Sequence, residues 1–433
     1  MAADLTRKVS RRLERRYSVR SVSESFGKVE AAINKTPTAV DDPQKALDSW
    51  VHNMDLQFTQ SGGFFSPDCP HAYLNMLESP FFEYHRPSIL KYMLAFSQQK
   101  ITRRMAWIVH LLALGAVSLY DRLLTLLVQH SIVTRLKTYI TRDYDINLKF
   151  PALVLLTDIC CQEVLPAADF AVLNESFVAY LLYMIEKTRY SHEQCNEAAS
   201  KLVLAIHKQG TLRLFDAAGT DDANGTTRHH SNGVMSPKTL HVPALQRASA
   251  RSQSTTMLSP LPGSPAMTQR SVSTSGHTSP EAAPSLRVIH TICRERDNCM
   301  TFAENLIFIL NREVDPDTTL LVLDFIHTIV TTPGSYTLFF TNDLCVLIDV
   351  IIRELHNLPP DADVLRLAYL RLVAPIILNT QYCQTRHKAA HLATLLRTLT
   401  SQRSLAAASP ALRRTIMQTV KLCEDPLAYG PLM

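Results

Sequence analysis

The sequence predicts an all-α chain: an armadillo- or HEAT-like stacked helical array carrying a long disordered internal loop. Three observations lead there. Apolar residues recur at intervals of three and four rather than alternating, which is the 3.6-residue period of a helix. Glycine is scarce, at 12 residues, and all but Gly115 fall outside the strongly apolar stretches, so few points invite a tight turn. Between positions 216 and 285 the composition shifts to Ser, Thr, Pro, His and Ala, and apolar periodicity disappears.

The elements follow in chain order. Residues 1–42 are a basic, polar arm in which Leu5, Val9, Leu13 and Tyr17 recur every four residues among arginines such as Arg11, Arg12 and Arg15. That pattern is a disordered basic arm, an amphipathic helix for an anionic membrane or partner, or a presequence, although Asp4 and Glu14 are unusual in the last. Residues 43–215 form the first part of the array. Stripes such as Ala46, Leu47, Trp50, Val51 and Met54, and later Leu153 to Leu156 with Ile159, are apolar on more than one face and need neighbours on both sides. Pro70, Pro80, Pro87, Pro151 and Pro166 read as punctuation at helix starts or between helices, and Gly210 reads as a loop residue. The longest apolar run, Met105 to Tyr120, contains His110 and falls short of the ~20 residues of a bilayer span, so it is read as a buried helix.

Residues 216–285 cannot bury enough surface to offset their ordering entropy. This segment holds the Ser-Pro steps at Ser236, Ser259, Ser264 and Ser279, the pattern of proline-directed phosphorylation, and a minimal Pro-x-x-Pro from Pro262 to Pro265, which SH3 domains read. Helical patterning resumes over 286–425, a leucine-rich second part of the array, and 426–433 are a tail. There Thr332-Pro333-Gly334 is a break. Thr341-Asn342-Asp343 reads as an N-cap with an acidic first turn, opening a helix through Leu355.

Composition excludes several function classes. The net charge of +5 is concentrated in the first twenty residues, which leaves no nucleic-acid footprint over the rest. No glycine cluster cradles a phosphate, and no Gly-x-Ser-x-Gly elbow presents a nucleophile, so neither an enzyme nor a cofactor is expected. The nine cysteines form no Cys-x-x-Cys pair and read as buried thiols of a reducing compartment. His387 and His391 are spaced to share one helix face, but Lys388 stands where the zinc-protease pattern needs Glu, and no third ligand follows.

The densest unusual stretch is Cys299 to Tyr382. It holds ENLIFILNRE (304–313), TTPGSYTLF (331–339), TNDLCVLIDVIIREL (341–355) and YLRLVAPIILNTQ (369–381). These motifs resemble the leucine-rich domain of the WISH/DIP family, and Asn196-Glu197-Ala198 through Gln209 resembles the segment that precedes it. The resemblance implies an armadillo-like array. It also implies a cytoplasmic, non-enzymatic protein of cortical actin patches that binds the actin-related protein 2/3 complex. Such a protein activates the complex without a preformed mother filament and seeds linear filaments for endocytosis. The chain departs from the family in lacking an SH3-like stretch, in the 216–285 insertion, in Phe339-Phe340 and in Ile326-His327-Thr328.

Within the matched motifs Leu344, Leu347, Val350 and Leu355 read as core. The polar and aromatic positions Asn311, Arg312, Asn342, Asp343, Arg353, Glu354, Tyr369 and Arg371 are the candidates for partner binding, with Tyr336 a further possible anchor. Capping accounts for Asn342 and Asp343 without a partner, and a solvated helix face accounts for Arg353 and Glu354. Three partner classes follow: the actin-related complex, SH3-bearing endocytic proteins on the Ser/Pro loop, and a membrane surface under the basic arm. The alternative reading is a helical-repeat scaffold that binds peptides at the cell cortex.

Overall fold

In a computed structural model, the described residues are 42–58, 63–65, 69–79, 81–85, 88–89, 103–118, 123–129, 131–142, 145–218, 287–313, 315–359 and 361–428. Among them the fold is all-α. The first half contains α1 (Pro43–Phe58), α2 (Cys69–Glu78), α3 (Arg103–Ser118), α4 (Leu123–Gln129), α5 (Ile132–Thr141), α6 (Ile146–Gln162), α7 (Ala167–Val172), α8 (Glu175–Lys187) and α9 (Glu193–Ala218). The second contains α10 (Arg287–Arg294), α11 (Met300–Arg312), α12 (Pro316–Thr331), α13 (Thr341–Asn357), α14 (Asp363–Asn379), α15 (Tyr382–Thr385), α16 (Ala389–Leu399), α17 (Gln402–Ala407) and α18 (Pro410–Ala428).

Helices pack mostly on partners one to four elements further along the chain, as a stacked array requires. Thus α1 lies on α3, α3 on α6, α5 on α6, α8 on α10 and α11, α12 on α14, and α14 on α18. The described residues up to 216 and from 287 on belong to one compact unit. The run from Met105 to Ala113 is wholly buried inside α3, where the Trp107 indole donates to Asp55 at 2.9 Å. No helix among the described residues is long and apolar enough to cross a membrane.

The middle of the array is α9. Leu202, Val203, Leu204, Ala205 and Ile206 are all at most 1% exposed, so this helix is covered on every side. Each large aliphatic side chain buried this way stabilises the fold by roughly 1.5–3 kcal/mol. One face of α9 meets the first half. The Gln209 amide accepts from Leu165 N at 3.0 Å and donates to the carbonyls of Cys160 (2.7 Å) and Glu163 (2.6 Å), satisfying backbone groups where α6 ends. The opposite face meets the second half. Asn305 on α11 donates to the Asn196 carboxamide oxygen and, at 2.9 Å, to Ser200 Oγ. Lys201 pairs with Glu313 at 3.1 Å, and the His207 ring stands edge-on to Phe325.

Several sequence expectations are corrected. Pro151 does not separate helices; it lies inside α6, which a mantle of packed neighbours holds together despite the missing N–H. Gly210 is a buried residue of α9, not a loop residue, because that helix runs on to Ala218. The N-cap of α13 is Phe340, and Asp343 caps it by accepting the Phe340 N–H at 3.0 Å. The thiols of Cys293 and Cys383 are exposed rather than buried. His387 and His391 share no helix face, since α16 begins at Ala389, after two left-handed residues at Arg386 and Lys388. Gly334, by contrast, does sit in a turn that needs it, at φ +91°.

A candidate partner-binding face on the second half

The second half shows its matched motifs on α11 to α14. Leu344, Leu347, Val350 and Leu355 are buried, as their spacing predicts, with Ile348 and Ile351 beside them. Burial of that stripe fixes which side of α13 faces outward. Asn342, Val346, Asp349, Arg353 and His356 follow at alternating steps of four and three, so they line one face. The face spans about four turns, on the order of 20 Å from end to end at 1.5 Å per residue. Val346 is 47% exposed, an apolar spot in a polar strip.

Neighbouring elements flank this strip. At its C-terminal end Arg353 donates to Asn311 Oδ1 at 2.7 Å, across from the end of α11, and pairs with Glu354 at 2.7 Å. Beside Asn311, the Arg312 guanidinium lies 4.1 Å from the centre of the Phe308 ring. Midway, Asp349 pairs with His387 at 2.7 Å and with Lys388 at 3.0 Å. Burial alone would raise the Asp349 carboxyl, but the hydrogen bonds from Lys388 and His387 outweigh it and hold the group below its ordinary value.

The structure therefore gathers Asn311, Arg353 and Glu354 into one contact, with Arg312 adjoining and Asn342 on the same strip. Asp343 is occupied with capping. Tyr369 lies beneath the surface, 2% exposed, its hydroxyl pushed up by burial and then by the Glu354 charge. Arg371 is elsewhere. Its charge acts on Asp324 and His327 of α12, and His327 is lowered to about 4, by burial first and by Arg371 second. The reading by motif missed Asp349, His387 and Lys388. The signal for Asp349 was its i, i+4 step to Arg353, which becomes informative only once the buried side of α13 is known, whereas His387 and Lys388 were weighed only against a metal pattern. Ser236, Ser259, Ser264 and Ser279, the Pro-x-x-Pro segment and residues 1–41 lie outside the described residues.

Residues 267–392 match the family model of the SPIN90/Ldb17 leucine-rich domain. Protein dip1 of Schizosaccharomyces pombe is 45% identical over 86 residues, 20% of this chain and 23% of that one. Protein LDB17 of Saccharomyces cerevisiae is 40% identical over 114 residues, 26% of this chain and 23% of that one. LDB17 of Eremothecium gossypii is 33% identical over 123 residues, 28% and 27% of the two chains. The matched stretch thus spans about a quarter of these relatives' lengths.

Proposed function

We propose, from the premise that residues 267–392 belong to the SPIN90/Ldb17 leucine-rich domain family, that this protein is a non-enzymatic activator of the actin-related protein 2/3 complex. In this reading it engages the complex without a preformed filament and seeds linear filaments at cortical, endocytic actin patches. The observation that carries it is the family match, which falls on the helices that display the Asn311–Arg353–Glu354 contact and the outward strip of α13. A strip of charged and amide groups around one exposed valine suits a partner surface with a small apolar centre and a polar rim. The remaining parts have supporting roles: the Ser/Pro segment tethers SH3-bearing partners under phosphorylation control, and the basic arm touches the membrane.

The test is bulk polymerisation of fluorescent actin monomer with purified complex and no added filaments. The lag should shorten in proportion to this protein, and microscopy should show unbranched filaments. An unchanged lag with folded protein would remove the activator reading and leave a peptide-binding scaffold in its place.

A further inference from the structure

The end of α5, the start of α6 and the end of α8 with the turn after it border an open surface cavity of about 460 Å³. Arg142, Lys149, Lys187 and His192 line it together with Tyr180 and Tyr183, and no carboxylate is among its lining residues. Lys149 is 5% exposed. Its ammonium meets the Tyr180 hydroxyl at 2.6 Å, and that hydroxyl in turn donates to the Ile140 carbonyl at 2.9 Å. No acid among the described residues pairs with Lys149, and the one hydrogen bond its ammonium makes among them is to the Tyr180 hydroxyl. A nearly buried cation without a direct acid partner is costly, and an anion bound beside it would offset that cost. Arg142 and Lys187 are exposed and form no ion pair among the described residues; Lys187 lies over the Tyr183 ring at 5.5 Å. Asp145, four residues before Lys149, caps α6 by accepting from Asn147 N at 2.9 Å and forms no ion pair with Lys149 among the described residues, while Asp143, beside Arg142, lies outside them.

We propose that this cavity binds a small phosphate-bearing polyanion of the inositol phosphate class, as a free compound or as a lipid head group. One guanidinium fork, two ammonium groups and nearby hydroxyls match the charge and the acceptor-rich geometry of phosphate monoesters. A volume of about 460 Å³ is larger than one phosphate needs and falls in the range of small-molecule sites.

The test uses the full chain. Isothermal titration with inositol trisphosphate should show binding, and R142E/K187E should weaken it by at least about tenfold. Both positions are exposed, so the thermal melt of that variant should match the parent. Lys149→Met should weaken binding at least as much, and where it fails to fold the double variant decides. Vesicles containing phosphatidylinositol bisphosphate, compared with phosphatidylserine vesicles of equal charge, separate the two sources. Selective sedimentation that R142E/K187E abolishes supports a lipid head group, and titration without such selectivity supports a free compound. The idea is overturned if trisphosphate fails to bind at millimolar concentration or binds parent and R142E/K187E alike. A phosphorylated peptide spanning Ser279 that binds there as tightly as trisphosphate also overturns it, in favour of a phosphopeptide site.

Discussion

Breaking the polar contact between α9 and α11 should destabilise the whole array, and the two partners should show coupled effects. Asn196 is 5% exposed. Its amide donates to the Ile185 carbonyl at 2.5 Å and to Thr188 Oγ1 at 2.9 Å, and its oxygen accepts from Asn305. Asn196→Ala removes three hydrogen bonds, each worth about 1 kcal/mol net, and strands buried polar groups at roughly 1–3 kcal/mol more. The expected loss is about 4–6 kcal/mol. Asn305→Ala removes two bonds, to Asn196 and Ser200, for about 2–3 kcal/mol. Because one bond is shared, the double variant should lose less than the sum, by about 1–2 kcal/mol. Urea unfolding followed by far-UV circular dichroism measures all three variants. A coupling within about 0.5 kcal/mol of zero would mean that Asn196 and Asn305 do not meet, and the packing of α9 between the two halves would be refuted.

Four further outcomes are expected. Gln209→Met, which keeps the side-chain length but leaves three backbone groups of the α6 terminus unpaired, should cost about 3 kcal/mol in urea unfolding, and a cost below 1 kcal/mol would contradict the capping role. His207 is held at about 4 by burial, and His327 at about 4 by burial and then Arg371. Both sit below the ordinary 6.5, so the unfolded chain binds the extra protons; stability should be level above pH 6.5 and fall as pH drops towards 4, and a flat profile over that window would exclude neutral buried imidazoles. Arg353→Glu should change stability by under about 1 kcal/mol, since its contacts are exposed, while abolishing the shortening of the actin lag; an unaltered lag would clear the α13 strip of a binding role. A thiol reagent at neutral pH should label Cys293 and Cys383 in the folded protein, whereas Cys195, Cys299 and Cys423, pushed up to about 12 chiefly by burial, should react only on unfolding.

Much of the helical content was legible because spacing alone reports which residues must face a core. Leu344, Leu347, Val350 and Leu355 fall on one side of a helix by arithmetic, and burial followed. Pro151 and Gly210 were misread because their local preferences, a lost N–H and extra backbone freedom, cost on the order of 1–3 kcal/mol, which burial on all sides of α6 and α9 outweighs. The clustering of Asn311 with Arg353 spans two helices, and that of Asp349 with His387 spans a helix and a turn. Such contacts depend on packing that no local pattern encodes. One hint was available: Asn196 and Ser200 are polar residues one helical turn apart within a strongly apolar run, a pair that a polar counterpart elsewhere, Asn305, makes tolerable.

The two-sided helix α9 also bears on how the chain is made. It leaves the ribosome long before Asn305 and Phe325, with the whole 219–286 segment still to come. At about 10 residues per second that interval is on the order of ten seconds. During that time one flank of α9, with Asn196, Ser200 and His207, has no partner to cover it. The first half of the nascent chain therefore carries a sticky surface for as long as the Ser/Pro segment takes to translate. The rate of synthesis through that segment, and the chaperones that attend it, thereby become determinants of yield.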